Sequence, residues 1–132
     1  MKKIEVAAAI IMYENEILCM QRGINKNAYL SYKYEFPGGK LEPGESPTAA
    51  LMRELKEEMD FDAVITENDF FLTVEHRYPD FEIVLHSFLC KTGTKEFVRK
   101  EHIDHKWLKK EELAILEWAP ADVGIVEKLV KS

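Results

Sequence analysis

Between Gly39 and Phe61 the chain reads GKLEPGESPTAALMRELKEEMDF, and no other stretch limits its fold so narrowly. Ser46-Pro47 opens a helix: serine accepts hydrogen bonds from the free amides of a helix start, and proline is tolerated at the first helical position. The spacing predicts a helix to about Met59, with an apolar face of Ala49, Met52, Leu55 and Met59. Glu54 then lies one turn from both Glu57 and Glu58, and all three are expected roughly opposite Met52, Leu55 and Met59. Like charges at this spacing destabilise a helix. A hard cation reverses that sign, because magnesium takes oxygen ligands and uses a few carboxylates together with substrate phosphates. Glu45, just before the helix, can reach back to the same region. Arg53, one turn before Glu57, can orient a carboxylate through a charge-assisted hydrogen bond. The helix alone leaves a solvated, glutamate-rich face equally open. The glycine loop and proline start ahead of it favour the metal site.

The rest of the chain sets bounds. Its 132 residues, with no repeat, linker or low-complexity stretch, are read as one domain, 1–132, long enough to bury a core. A composition of 46% hydrophobic and 32% charged residues is that of a soluble globular protein, so no membrane partner is expected. The apolar run Val6 to Tyr13 is too short to span a bilayer and reads as a strand, not a signal peptide. Cys19 and Cys90 sit in apolar, strand-like segments without CxxC spacing; buried free thiols and a cytoplasmic location are expected. The net charge of −6 argues against a broad electrostatic grip on nucleic acid. A polyanionic substrate would need another neutralising agent, and a divalent metal is the natural one.

Residues 3–13 and 16–21 read as a hairpin around Glu14-Asn15, and 22–33 as a surface loop. Pro37-Gly38-Gly39 and Pro43-Gly44 are loop signals. After the helix, 63–66, 70–78, 82–91 and 105–108 read as strands, Lys109 to Leu116 as a short helix and 121–131 as a terminal helix. That order suggests a mixed sheet sandwiched between helices. His102 and His105 have HxxH spacing on a strand or loop, with no third ligand, and zinc is set aside.

Gly39, Glu45, Arg53, Glu54, Leu55, Glu57 and Glu58 match the signature of the Nudix hydrolases: Gly, five residues, Glu, seven residues, Arg-Glu-aliphatic-any-Glu-Glu-any-Gly-aliphatic. Phe61 takes the last apolar position, and Asp60 stands where the pattern has glycine. Aspartate tolerates the left-handed conformation common there at modest cost. The chain resembles this family. The resemblance implies a Nudix fold of the α/β (α+β) class and Mg2+ as cofactor, with Mn2+ able to substitute. It implies Glu57 and Glu58 as principal metal ligands, with the Gly38 carbonyl completing part of the shell. Glu54 would be a further ligand or would orient or deprotonate the attacking water. Arg53 would support this catalytic group, and Gly39 and Glu45 would be structural.

The start MKKIEVAAAII, EFPGGK at 35–40 and WAPADVGIVEKL at 118–129 are similar to the MutT-type nucleoside triphosphate pyrophosphohydrolases, and most to their CTP-directed branch. That likeness makes Glu101, six residues before Trp107, a candidate metal ligand or base, with an exposed loop glutamate equally open. It gives Asp122 the position that reads the base; ionised, it would only accept hydrogen bonds and favour an exocyclic amine, of cytosine or adenine, and protonated it could donate. A helix cap is the alternative. Phe36 and Tyr78 are candidates to stack on a base and Arg22 to meet phosphate or ribose, with core packing and a surface arginine as the plain alternatives. The reaction implied is in-line attack of water on a nucleoside triphosphate, giving a monophosphate and pyrophosphate and clearing modified or surplus nucleotides, by a monomer or homodimer. A nucleotide sugar, dinucleoside polyphosphate or capped RNA as substrate stays open, as does a non-catalytic nucleotide sensor.

Overall fold

A computed structural model describes all residues, Met1–Ser132. β1 (Lys2–Tyr13) is the axis of the molecule. Its run of small and branched apolar residues is buried on both faces, and alternate side chains serve two separate cores. Ala7, Ala9 and Ile11 pack with Leu51, Leu55 and Met59 of α1 (Pro47–Met59). Ala8 and Ile10 pack with Ile125, Val126 and Leu129 of α2 (Val123–Lys131). A mixed sheet between two helices follows, as expected from the sequence.

One edge of β1 pairs in parallel over twelve residues with β6 (Phe81–Thr92), which carries β5 (Phe70–Arg77) outside it. The other edge is shared. Its end pairs with β2 (Glu16–Gln21) at Met12 and Tyr13, closing the expected hairpin. Its middle pairs at Val6–Ala8 with β4 (Gly38–Lys40). β3 (Tyr34–Glu35) stays on β2. The chain therefore steps from β2 to β1 across Phe36-Pro37, where the Ala9 amide donates to the Pro37 carbonyl at 2.8 Å. β7 (Asp104–Lys109) covers the far edge of β2. The fork between β2 and β1 is the structural origin of the cleft described below.

Several expectations need correction. Residues 63–66 form no strand: Ala63 and Ile65 lie against the α1 core, which gives a strand-like alternation without a pairing partner. β3 and β4, two and three residues long, were hidden among proline and glycine loop signals. The 22–33 loop contains a 3-10 turn at Ala28–Leu30, Lys110–Ile115 is a 3-10 helix, and a 3-10 turn at Pro120–Asp122 precedes α2. In α1, Ala49 is exposed and Met52 half-buried, while Ala50 and Leu51 join Leu55 and Met59 inside. No helix is long and apolar enough to cross a membrane. Cys19 and Cys90 are buried free thiols.

The helix ends follow the local chemistry. Ser46 Oγ accepts from the Ala49 amide, with Pro47 at the first position. Asp60 ends the helix in the left-handed region (φ 49°, ψ 37°), its amide donating to the Leu55 and Lys56 carbonyls. A non-glycine residue there costs about 1 kcal/mol.

Candidate active site

A cleft of about 840 Å³ opens at the fork of the sheet, floored by Ala7, Ala8, Gly38 and Gly39. Its size suits a small-molecule ligand. Arg22, Phe36, Gly38, Gly39, Glu54, Glu58, Tyr78, Glu101 and Asp122 all line it. Glu45, Arg53 and Glu57 do not.

The carboxylates of α1 divide between two environments. Glu54 and Glu58 follow Leu51 and Leu55 by three residues, so they border the buried stripe instead of lying opposite it, as the sequence had suggested. The Glu54 side chain is only 15% exposed, whereas that of Glu57 is 60% exposed. On the outer side Arg53 gathers its neighbours. Its Nε and Nη2 donate to both Glu45 oxygens at 2.8 Å, and Nη2 also donates to the Lys40 carbonyl at 3.0 Å. Nη1 donates to Glu54 at 2.8 Å and Glu57 at 3.3 Å. Arg53 thus reaches the cleft through Glu54 and the Lys40 carbonyl without lining it. The forked bond from Arg53, helped by the Glu42 amide, holds the Glu45 carboxyl down at about 2.

Glycine sets the spacing between this helix and the floor. A Cβ on Gly39 would overlap the Glu54 carboxylate, and one on Gly38 would overlap the Ala7 carbonyl of β1. Gly38 therefore lets β4 lie against β1, and Gly39 lets Glu54 rest on the β4 backbone.

On the inner side, Glu58 is within hydrogen-bonding reach of Glu54 and of Glu101, which arrives from the loop between β6 and β7. Burial, then the charges of Glu101 and Glu54, pushes the Glu58 carboxyl up to about 9. No three of these groups close into a ready-made coordination cluster. Even so, three acidic groups face one another with no cation of the protein among them on that side, and their hard oxygen donors fit a divalent ion such as Mg2+. Glu101 is exposed as a residue, yet it belongs to the cleft.

Glu35 and His102, which the sequence reading passed over as site residues, also line the cleft. Glu35 Oε1 accepts from Arg22 Nη1 at 2.8 Å, and Oε2 accepts from His102 Nε2 at 2.8 Å. Burial raises the Glu35 carboxyl, but the hydrogen bond from His102 and the charge of Arg22 outweigh it and hold it below the usual range. Arg22 is thus committed to a protein carboxylate while still facing the cleft. The HxxH spacing drew notice for the wrong reason: His105 pairs with Arg99 Nη1 instead.

The opposite end is built on the tail. Tyr34 accepts from the Ala119 amide and donates its own amide to the Glu117 carbonyl, both at 2.8 Å. This stitch delivers Pro120–Asp122 to Phe36, whose amide donates to Asp122 Oδ2 at 3.1 Å. The Asp122 side chain does not cap α2. It is 6% exposed, and burial, then the Glu35 charge, raises its carboxyl well above the usual carboxylate range. That shift favours the protonated form, which can also donate, over the ionised one. Phe36 stacks on Trp118 with centroids 4.8 Å apart, and Tyr78 stacks on Tyr29 at 5.0 Å. Tyr78 Oη accepts from the Ala121 amide at 3.1 Å. Both aromatics are buried wall residues with one ring face already used.

A NUDIX domain profile matches residues 3–129, nearly the whole chain. The chain belongs to the Nudix family. Over 132 residues it is 36% identical to an 8-oxo-dGTP diphosphatase of Escherichia coli (strain K12), covering 98% of each chain. It is 35% identical over 128 residues to a CTP pyrophosphohydrolase of the same organism, covering 96% of this chain and 91% of the relative. Among solved structures it is similar to the MutT protein of methicillin-resistant Staphylococcus aureus 252, a Nudix hydrolase, with a TM-score of 0.74 and 38% identity over 99% of this chain and 98% of that one. This Nudix protein is thus a hydrolase of phosphorus-containing acid anhydrides of the MutT type.

Proposed function

We propose that this Nudix hydrolase cleaves a (deoxy)nucleoside triphosphate to the monophosphate and pyrophosphate with Mg2+, for which Mn2+ can substitute, and so clears modified or surplus nucleotides. The observation that carries the reading is the meeting of Glu54, Glu58 and Glu101 in the cleft that Phe36 and Asp122 close at its other end. Glu54, Glu58 and Glu101 would hold the cation with the Gly38 carbonyl, and Glu57, bonded to the same Arg53 Nη1 as Glu54, would turn in from the outer side to join them. When bound, the cation supplies positive charge to the phosphate oxygens and acidifies water. Arg53 fixes the Glu54 carboxylate at 2.8 Å, and Gly39 leaves room for it, so Glu54 is held ready to orient water or take its proton. Arg22, steadied by Glu35, offers its remaining N–H groups to phosphate or ribose.

The base end supports a choice of substrate class. A protonated Asp122 both donates and accepts, like an asparagine. It suits a base edge with a donor beside an acceptor, such as cytosine N4–H2 and N3, or oxidised guanine N7–H and O6. Both chemistries occur among the substrates for which the two relatives above are named. The stacked walls of Phe36 and Tyr78 bound the base from the sides.

A substrate screen with Mg2+ over canonical, oxidised and methylated triphosphates tests this. Wild type should release pyrophosphate from a triphosphate, and Glu57→Gln should abolish release while its circular dichroism is unchanged. Asp122→Asn should keep the base preference and Asp122→Ala should flatten it, by about tenfold for one lost pair of base contacts. Identical profiles for wild type and Asp122→Ala would remove the base-reading role. Unchanged turnover in Glu57→Gln would remove that residue from the catalytic group.

A further inference from the structure

The loop that carries Glu101 is fastened on both sides of that residue. Ahead of it, the Val98 amide donates to the Met59 carbonyl at 2.9 Å. Lys100 Nζ donates at 3.2 Å to both the Glu57 carbonyl and Asp60 Oδ1, at the end of α1. Behind it, His102 Nε2 donates to Glu35 Oε2 on β3, and the Ile103 amide donates to the Gln21 carbonyl on β2 at 3.0 Å. Glu101 therefore spans the gap between α1 and the β2–β3 side of the fork. The two fastenings differ in strength. Lys100 and Asp60 are 42% and 51% exposed, so their attraction is heavily screened. The His102 side chain is 9% exposed and bonds a carboxylate that Arg22 already holds. A nearly buried hydrogen bond to a charged partner is the stronger constraint.

We infer that His102, bonded to Glu35, is a positioning residue that sets the Glu101 carboxylate against Glu58. The inference rests on the reading of Glu101 as part of the catalytic group. His102 acts through Glu35: its Nε2 proton goes to that carboxylate, which leaves its neighbour in the chain to face α1. Asp60 gains a role from the same arrangement. It replaces the signature glycine at the cost of a left-handed backbone and gives Lys100 a partner at the end of α1.

The test measures Mn2+ alone binding to the nucleotide-free protein by electron paramagnetic resonance, together with kcat and KM for a nucleoside triphosphate. The variants are Glu101→Gln, His102→Ala, His102→Gln and the double Glu101→Gln/His102→Ala. Glu101→Gln should weaken Mn2+ binding and lower kcat. His102→Ala should do the same by about tenfold, as expected for a group that orients a ligand, with KM unchanged. The double variant should be no worse than Glu101→Gln. His102→Gln, whose amide nitrogen reaches nearly as far as Nε2, should recover most of the loss. If His102→Ala does not fold, His102→Asn fills the space with a donor too short to reach Glu35 and is measured in its place. Wild-type Mn2+ affinity and kcat in the His102 variant, beside a weakened Glu101→Gln, would overturn the inference, and so would fully additive losses in the double variant. An inert Glu101→Gln would instead overturn the underlying role of Glu101.

Discussion

The two ends of the cleft treat buried acid in opposite ways. At the base end every carboxyl group has a partner in the protein: Glu35 has Arg22 and His102, and Asp122 has the Phe36 amide. At the α1 end Arg53 neutralises the outer side, and beyond Glu54 the carboxyls of Glu58 and Glu101 face each other. A folded protein gathers acidic groups like these only where a proton or a cation offsets their charge. The base end is therefore complete as folded and fit to hold a rigid shape. The α1 end has no such partner for Glu58 and Glu101, and it is there that the proposed cation and phosphates are placed.

Breaking the incomplete end should have the largest effect. Glu58→Gln removes the middle carboxylate of the three and should lower kcat by about 100-fold or more, since losing a ligand should cost no less than losing a group that orients one. The same change should leave the apo protein as stable as wild type or more so, because it relieves repulsion. A steady-state assay beside a urea titration checks both signs. An equal loss of stability and activity would show that Glu58 is merely structural.

The two glycines sharpen the comparison at intermediate size. Gly39→Ala displaces the end of the Glu54 side chain, which can move, so activity should fall about 10- to 100-fold with little change in stability. Gly38→Ala meets the β1 backbone, which cannot move, and should cost about 1–3 kcal/mol of stability or more in chemical denaturation.

The smallest effect is on pH. Glu58 and Asp122 have carboxyls raised in the folded state, so the folded chain binds more protons than the unfolded one above the usual carboxylate range. Stability of the apo protein should fall as pH rises above the ordinary carboxylate range, for Glu58 up to about 9, by at most about 1.4 kcal/mol per pH unit for each group. Glu45 works the other way: its lowered carboxyl adds stability above its ordinary value of 4.5, and this is lost as pH falls toward 2. Saturating Mg2+ should flatten the alkaline fall through its effect on Glu58. A slope that Mg2+ leaves unchanged would mean that Glu58 does not cause it.

The sequence carried the main features of this site but not its wiring. The helix, its start at Ser46-Pro47 and its glutamates were legible because capping chemistry and three- and four-residue spacing are local properties. The placement of Glu54 and Glu58 beside the core was misread, since Leu51 and Ala50 had not been assigned to the buried face. β3 and β4 were invisible because their pairing is with β2 and β1, far away in the chain, and their residues look like loop. Glu35 and His102 escaped for the same reason. They lie 67 residues apart, and only the fork of the sheet brings them to 2.8 Å. Asp122 lines the cleft, but the upward shift of its carboxyl comes from burial and from Glu35, which no short window of sequence contains.

The most direct test of the central claim is the anomalous scattering of Mn2+ in crystals grown with a non-hydrolysable nucleoside triphosphate. The account predicts a peak within oxygen-ligand distance of Glu54, Glu58 and Glu101, with the triphosphate at the same end of the cleft and the base beside Asp122. Nucleotide bound in the cleft with Mn2+ elsewhere, and those three carboxylates left facing only one another, would contradict it.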